Sequence, residues 1–294
     1  MYEQASQVPG YQAESPRGLF YRRFLRNKKT LIGSTLVLFF VFVAVFAPVL
    51  APGSPFEINA LAMFQAPSSQ YFFGTDDLGR DVFSRAIYGA RISLVTAFIV
   101  GLASGAVGIL VGLPAAHYGG KFDLFVMRAV DVAVSFPWLL LALLIASIIG
   151  ASLTTVIVAL SIISAPGAIR VARGKALSVK EETYVIVATA IGESDSAIMF
   201  RYILPNCVGP ILVQTTLTMS LSILGEAGIS YLGFGTQPPT PSWGLMLADA
   251  TDYLYSAPPT LVILPGLLLL LLVLGLNFLG DGLRDLLDPK FRKL

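Results

Sequence analysis

Six stretches of this chain are each long and apolar enough to cross a lipid bilayer, and no other feature of the sequence limits its fold so severely. A helix rises 1.5 Å per residue, so about 20 apolar residues span about 30 Å of hydrocarbon. The stretches are residues 30–50, 92–116, 124–149, 152–170, 207–225 and 260–280, the last holding six consecutive leucines from Leu267 to Leu272. The expected fold is therefore an all-α integral membrane protein with six transmembrane helices. The fourth run is the weakest, because Pro166 and Gly167 interrupt it. The first follows Arg22, Arg23, Arg26, Lys28 and Lys29 and has no clean small-x-small cleavage site, so it reads as a retained span rather than a signal peptide.

Composition excludes the soluble alternative. Hydrophobic residues make up 55% of the chain and charged ones 13%, against about a quarter charged in a soluble domain. A net charge of +2 excludes a strongly basic nucleic-acid binder, so any electrostatic meaning lies in where the charges sit. With the N-terminus inside, residues 1–29, 117–123, 171–206 and 281–294 face the cytoplasm, and 17 of the 20 Lys and Arg residues fall in or beside them. Only Arg80, Arg85 and Arg91 lie outside, as the positive-inside rule requires with both termini cytoplasmic. The chain then divides into a tail (1–29), a first transmembrane helix (30–50), an external loop (51–91), a five-helix core (92–280) and a C-terminal tail (281–294). The core carries a cytoplasmic loop at 171–206 and an external loop at 226–259. The first 16 residues, rich in Gln, Ser, Pro and Glu, read as a disordered tail.

Little here points to catalysis. Gly174-Lys175 is the nearest thing to a phosphate cradle, yet Ala176 stands where Ser or Thr should hold magnesium, and Ile169 replaces the first glycine. This chain is not expected to bind ATP by itself. One cysteine, Cys207, and one histidine, His117, leave no tetrahedral zinc set, and no nucleophile elbow is present. No catalytic residue, metal site or cofactor is assigned, and His117 reads as an interfacial residue. Arg128 and Asp131 lie three apart on one helix face within the third run. They are either a self-compensating pair near the interface or part of a gate or translocation pathway. Glu226 at the outer end of the fifth run reads as interfacial. Gly101, Gly105, Gly108 and Gly112 form a small-residue stripe suited to close helix packing.

The most unusual segment is 176–206, ALSVKEETYVIVATAIGESDSAIMFRYILPN. Tyr184, Val185, Ala188 and Ile191 recur at helical spacing, Gly192 follows as a stop or bend, and Ser194-Asp195 can cap a new helix that Pro205 ends. Two short helices joined at Gly192 result. Their apolar residues suit either the membrane surface or a groove on a soluble partner.

Here the sequence resembles the cytoplasmic signature loop of permease subunits in ATP-binding-cassette importers, with Ala188, Gly192 and Leu204-Pro205 in the matching places. Three further blocks resemble the C-type subunit of the oligopeptide/dipeptide/nickel branch: residues 73–94 (FGTDDLGRDVFSRAIYGARISL), 225–247 (GEAGISYLGFGTQPPTPSWGLML) and 277–290 (NFLGDGLRDLLDPK). The resemblance implies a type I ABC importer permease in the inner membrane of a prokaryote. It implies a heterodimer with a homologous permease, two cytoplasmic ABC ATPase subunits, an extracytoplasmic substrate-binding protein and surrounding membrane lipid. Tyr184, Ala188, Gly192, Asp195, Leu204 and Pro205 then belong to the ATPase-coupling loop. Where the family pattern has Glu-Ala-Ala, this chain has Ile186-Val187-Ala188, so the polar contact of that glutamate does not carry over.

The external blocks admit two readings. Asp76, Asp77 and Arg80 form either a structural turn or a docking point for the binding protein. Pro238, Pro239 and Pro241 fix a rigid turn, Trp243 suits the membrane interface, and a hairpin dipping into the outer mouth is expected. Peptides are the expected cargo, with nickel complexes, glutathione and sugars as alternatives within the family. An ion-coupled secondary transporter is the competing class, but the last two spans lack the midplane charges it would use.

Overall fold

Apolar length and end-capping decide the architecture. The computed structural model describes residues 22, 24–253 and 258–287, and within them every regular element is helical apart from one isolated antiparallel bridge between Thr75 and Asp81. The expected disorder of residues 1–16 and the basic residues 290–293 lie outside the described residues. The main helices are α1 (Lys28–Val45), α2 (Val82–Tyr118), α3 (Gly120–Ser135), α4 (Trp138–Ile149), α5 (Leu153–Lys180), α6 (Thr183–Ala190), α7 (Asp195–Tyr231), α8 (Trp243–Asp252) and α9 (Thr260–Leu287).

Five of these, α1, α2, α5, α7 and α9, are long and apolar enough to span a bilayer. The sixth run differs from expectation. Residues 124–149 are not one helix but the pair α3 and α4, bent by 88°. The cause is Pro137, which cannot donate to the helical ladder and forces Phe136 into the extended region. Pro166 behaves otherwise, since α5 runs through it to Lys180. Pro166 is itself buried, and the glycine stripe of α2 divides, with Gly101 and Gly105 against Thr215 and Met219 of α7 and Gly108 and Gly112 against the stretch of α5 just past the proline. A Cβ on Gly108 would come within 2.9 Å of the Ala168 backbone, and one on Gly112 within 2.7 Å of the Ile169 carbonyl. The stripe is a packing surface, as its spacing implied.

Pro205 does not end a helix either. Residues Ile198–Ile203 form a π-helical segment that carries α7 past the proline without a break, and Gly108–Gly112 does the same before Pro114 in α2. The wider turn sits where the proline, having no N–H, leaves a carbonyl without its helical donor. Helix starts also precede the apolar runs. Asp81 caps α2 through a 2.8 Å bond from the Ser84 amide, so the loop expected at 51–91 ends at residue 81.

Two poles result. Asn27 Nδ2 lies 3.4 Å from Asp285, and the ends of α2, α5 and the start of α7 meet around His117, so these all share one pole. At the other, residues 51–81 and 232–253 form a cap over the starts of α2 and α9. The main apolar core, including Phe40, Leu94, Ile223, Trp243 and Leu272, joins α1, α2, α7, α8 and α9 beneath the cap.

Candidate functional site

At the first pole, α6 has two unlike faces. Val185 and Ala188 are buried, Val185 within a cluster that includes Leu113 and Ala116 of α2, Val179 of α5 and Ile198 and Ile203 of α7. Tyr184, Ile186, Val187 and Ile191 project outward and are 43 to 72% exposed. The helix ends in a double backbone cap, with Glu193 N–H bonding Ala188 C=O at 3.1 Å and Gly192 N–H bonding Thr189 C=O at 3.1 Å. That motif needs a left-handed residue, and Gly192 supplies it at φ +83°. Ser194 then caps α7 by accepting from the Ala197 amide, and the Tyr202 hydroxyl donates to Glu193 at 3.2 Å. Ala188, Gly192 and Asp195 are thus brought together around one turn. Leu204 and Pro205 lie further on, inside α7.

His117, expected at the interface, has a side chain only 9% exposed, and its Nε2 bonds Asp195 Oδ1 at 2.9 Å. Lys180 donates to the backbone carbonyl of His117 at 2.6 Å.

Arg128 and Asp131 are not an isolated pair. Their side chains stand 4.0 Å apart, whereas Arg170 of α5 reaches Asp131 at 2.7 Å, with all three partly or largely exposed. A second bridge, Arg173 to Asp123 at 2.5 and 2.6 Å, is bidentate and better shielded. Two ion pairs therefore lace α3 to α5.

At the cap, the Asp76 and Arg80 side chains point into the molecule, while Asp77 stays 23% exposed. Arg80 Nε donates to Asp76 at 2.6 Å and its Nη2 approaches Asp77 at 3.3 Å and Asp249 at 3.5 Å. Arg85, 1% exposed, adds Asp76 at 3.3 Å and Asp249 at 3.9 Å. Asp76 also accepts from the Leu78 and Arg80 amides, which makes the turn and the ion network one object. Burial pushes the Asp249 carboxyl above its ordinary range, with Arg85 opposing most strongly. The sequence groups Arg80 with Asp76 and Asp77 in one turn, but not with Asp249, which arrives from a distant helix.

The 226–259 segment also departs from expectation. Its centre is a proline-bearing loop followed by α8, not a hairpin. Trp243 is fully buried, donating from Nε1 to the Ala86 carbonyl at 2.9 Å and meeting Phe40 edge-on, so it locks α8 to α2 instead of facing lipid headgroups. Glu226 is likewise fully buried, accepting from Ser230 at 2.8 Å and Thr236 at 3.1 Å. It organises the loop from below. Among the described residues no cluster of three or more His, Cys, Asp or Glu side chains is arranged to hold a metal.

Two family models match the chain. Residues 108–293 match the model of binding-protein-dependent transport system inner membrane components. Residues 15–67 match the N-terminal TM domain of oligopeptide transport permease C. The chain is 41% identical to the dipeptide transport system permease protein DppC of Alkalihalophilus pseudofirmus, over 96% of its own length and 92% of that protein. It is 38% identical to DppC of Haemophilus influenzae, over 96% and 98%. Against the glutathione transport system permease protein GsiD of Escherichia coli the figures are 40%, 96% and 93%. Among solved structures, a chain of the MetNI methionine ABC transporter in an inward-facing conformation shares the fold, with TM-score 0.59 at 20% identity over 70% of this chain and 97% of that one.

Proposed function

The chain belongs to the family of binding-protein-dependent transport system inner membrane components, and from that premise we propose that it imports di- and oligopeptides as one half of a permease heterodimer. Its membership makes it an inner-membrane permease subunit of an ABC transporter. In the proposed complex a homologous permease completes the pathway, two cytoplasmic subunits hydrolyse ATP, and an extracytoplasmic protein delivers the peptide. The α6 pole faces the cytoplasm and the cap faces outward.

One observation carries this reading. The outward face of α6 is apolar on a helix whose inner face is anchored to three others, which is the geometry of a knob for a groove on a soluble partner. ATP-driven closure of the ATPase pair would press on this knob, and Val185, packed with residues of α2, α5 and α7, would carry the displacement into the spans as rigid bodies. The names of the relatives support peptide as cargo, with glutathione, itself a peptide, as the nearest variant.

The test is uptake of labelled dipeptide into proteoliposomes holding this chain, its sister permease, both ATPases and the binding protein. Uptake is expected with ATP enclosed and no ion gradient. Uptake by this chain alone under a proton gradient would overturn the assignment. Sidedness is checked in a Cys207→Ser background, where Leu61→Cys should react with an impermeant maleimide outside intact cells and Ile191→Cys should not.

A further inference from the structure

We infer that His117 is the positioning residue that ties α6 to the transmembrane bundle, acting through Asp195. This rests on the reading of α6 as the ATPase contact. His117 sits in the last turn of α2, and Asp195 is the first residue of α7, three positions after Gly192. A carboxylate at a helix start suits the local backbone dipole, and the imidazole at the end of α2 supplies it with a donor. Because the carboxylate can only accept, Nε2 is the donor in this bond, while Nδ1 is buried without a partner.

Position makes this contact more than a surface bridge. The His117 backbone carbonyl is held by Lys180 at the end of α5, while its side chain is held by Asp195 at the start of α7. Residues 181–194, with α6 at their centre, are bounded by these two attachments. The charged group at the imidazole is therefore Asp195 from α7, with the Tyr118 ring edge-on at 5.1 Å, while Lys180 from α5 is bonded to the backbone carbonyl. Apart from this clasp, α6 is held chiefly by small and branched apolar residues, Val185 and Ala188, which resist separation but fix its orientation poorly. The Asp195 bond supplies the directional restraint toward α2, while the Tyr202 bond to Glu193 holds the segment to α7 alone. When α6 is pushed, its displacement passes to α2 through His117, and α2 is the helix whose other end begins at Asp81 in the cap.

The experiment uses the complete reconstituted complex and reads peptide taken up per ATP hydrolysed, together with the ratio of stimulated to basal hydrolysis. His117→Leu keeps the volume and loses the bond, whereas His117→Gln keeps a donor. We expect the leucine variant to lower both ratios about three- to fivefold, the scale of one partly exposed charge-assisted bond, and the glutamine variant to restore most of the loss. Asp195→Ala should match His117→Leu, and the double variant should be no worse than either alone. Copurification of the ATPases shows that each variant assembles. Wild-type ratios in His117→Leu, a glutamine variant as impaired as leucine, or additive losses in the double variant would each overturn the proposal. Crosslinking of Ile186→Cys to an ATPase subunit is measured in parallel: its absence rejects α6 as the contact, whereas its presence with neutral His117 variants rejects only the clasp.

Discussion

At one end of this molecule a tryptophan, two arginines and a glutamate are sealed from solvent, while at the other Tyr184, Ile186, Val187 and Ile191 stand in the open. The cap pairs most of its buried polar groups internally, leaving one Glu226 oxygen and one Arg85 nitrogen without a hydrogen bond. Arg80 and Arg85 neutralise Asp76 and share Asp249, and Trp243 and Glu226 are hydrogen-bonded inside. The α6 pole inverts this, keeping small apolar residues inward and presenting large ones. A surface that is complete in a single chain resists deformation, whereas one that exposes apolar side chains gains stability only when another body covers them. The contrast predicts that substitutions at the cap act on folding and those on α6 act on coupling.

The hardest test of that contrast is Arg85→Ala. Removing a guanidinium 1% exposed leaves Asp76 and Asp249 with Arg80 as their one remaining cation in a buried site, and a loss at the upper end of about 1–3 kcal/mol is expected. Thermal unfolding in nanodiscs should show the loss, with little mature permease recovered. A variant of wild-type stability would mean that the cap is not the self-supporting end.

At the other pole, Gly192→Val should act differently. A Cβ there meets nothing within 4 Å, so the effect is conformational strain at φ +83° rather than a clash, about 1–2 kcal/mol. The complex should assemble, and transport and substrate-stimulated ATP hydrolysis should fall together. Ile186→Asp sharpens this further. The residue is 57% exposed, so its effect on stability should stay within about 0.5 kcal/mol. ATPase association should weaken by roughly tenfold, about 1.4 kcal/mol, because an apolar groove must accept a charge. Loss of stability without loss of association would reverse the roles assigned to the two poles.

The two ends also differ in how far they could be read from sequence. Five spans followed from apolar length, and the turn at Gly192 followed from a helical pattern broken by glycine. Those signals are local. The bend in the third run is signalled at Pro137 but masked by unbroken hydropathy, and α5 runs on through Pro166 to a stretch where Gly108 and Gly112 of α2 let two backbones approach. Pro205 was misread for a related reason, since a π-helical turn has no sequence signature of its own. The cap was least legible. Trp243 and Glu226 have the composition of interfacial residues, and only the tertiary fold brings Ala86, Ser230 and Thr236 to them. His117 and Asp195, far apart in sequence, were each noted without being paired.

The smallest expected effect separates the cap's charges from its packing, and it concerns Asp249. Its side chain is 31% exposed and its bonds to Arg80 and Arg85 are longer than those of Asp76, so it is the loosest member of the network. Burial holds its carboxyl above the ordinary range despite the arginines. An acid whose folded pKa is raised stabilises the fold at low pH and loses that contribution as pH rises through the folded value. Asp249 therefore favours the folded cap most when protonated, and its contribution declines as pH climbs from the ordinary carboxylate range through the raised pKa. Asp249→Asn abolishes that titration while keeping the shape. Hydrogen exchange across α8 should show protection that falls with rising pH in the wild type, once intrinsic exchange is corrected for, and a flatter profile in the variant. Identical profiles would place the cap's stability in its packing around Trp243 rather than in the charge network.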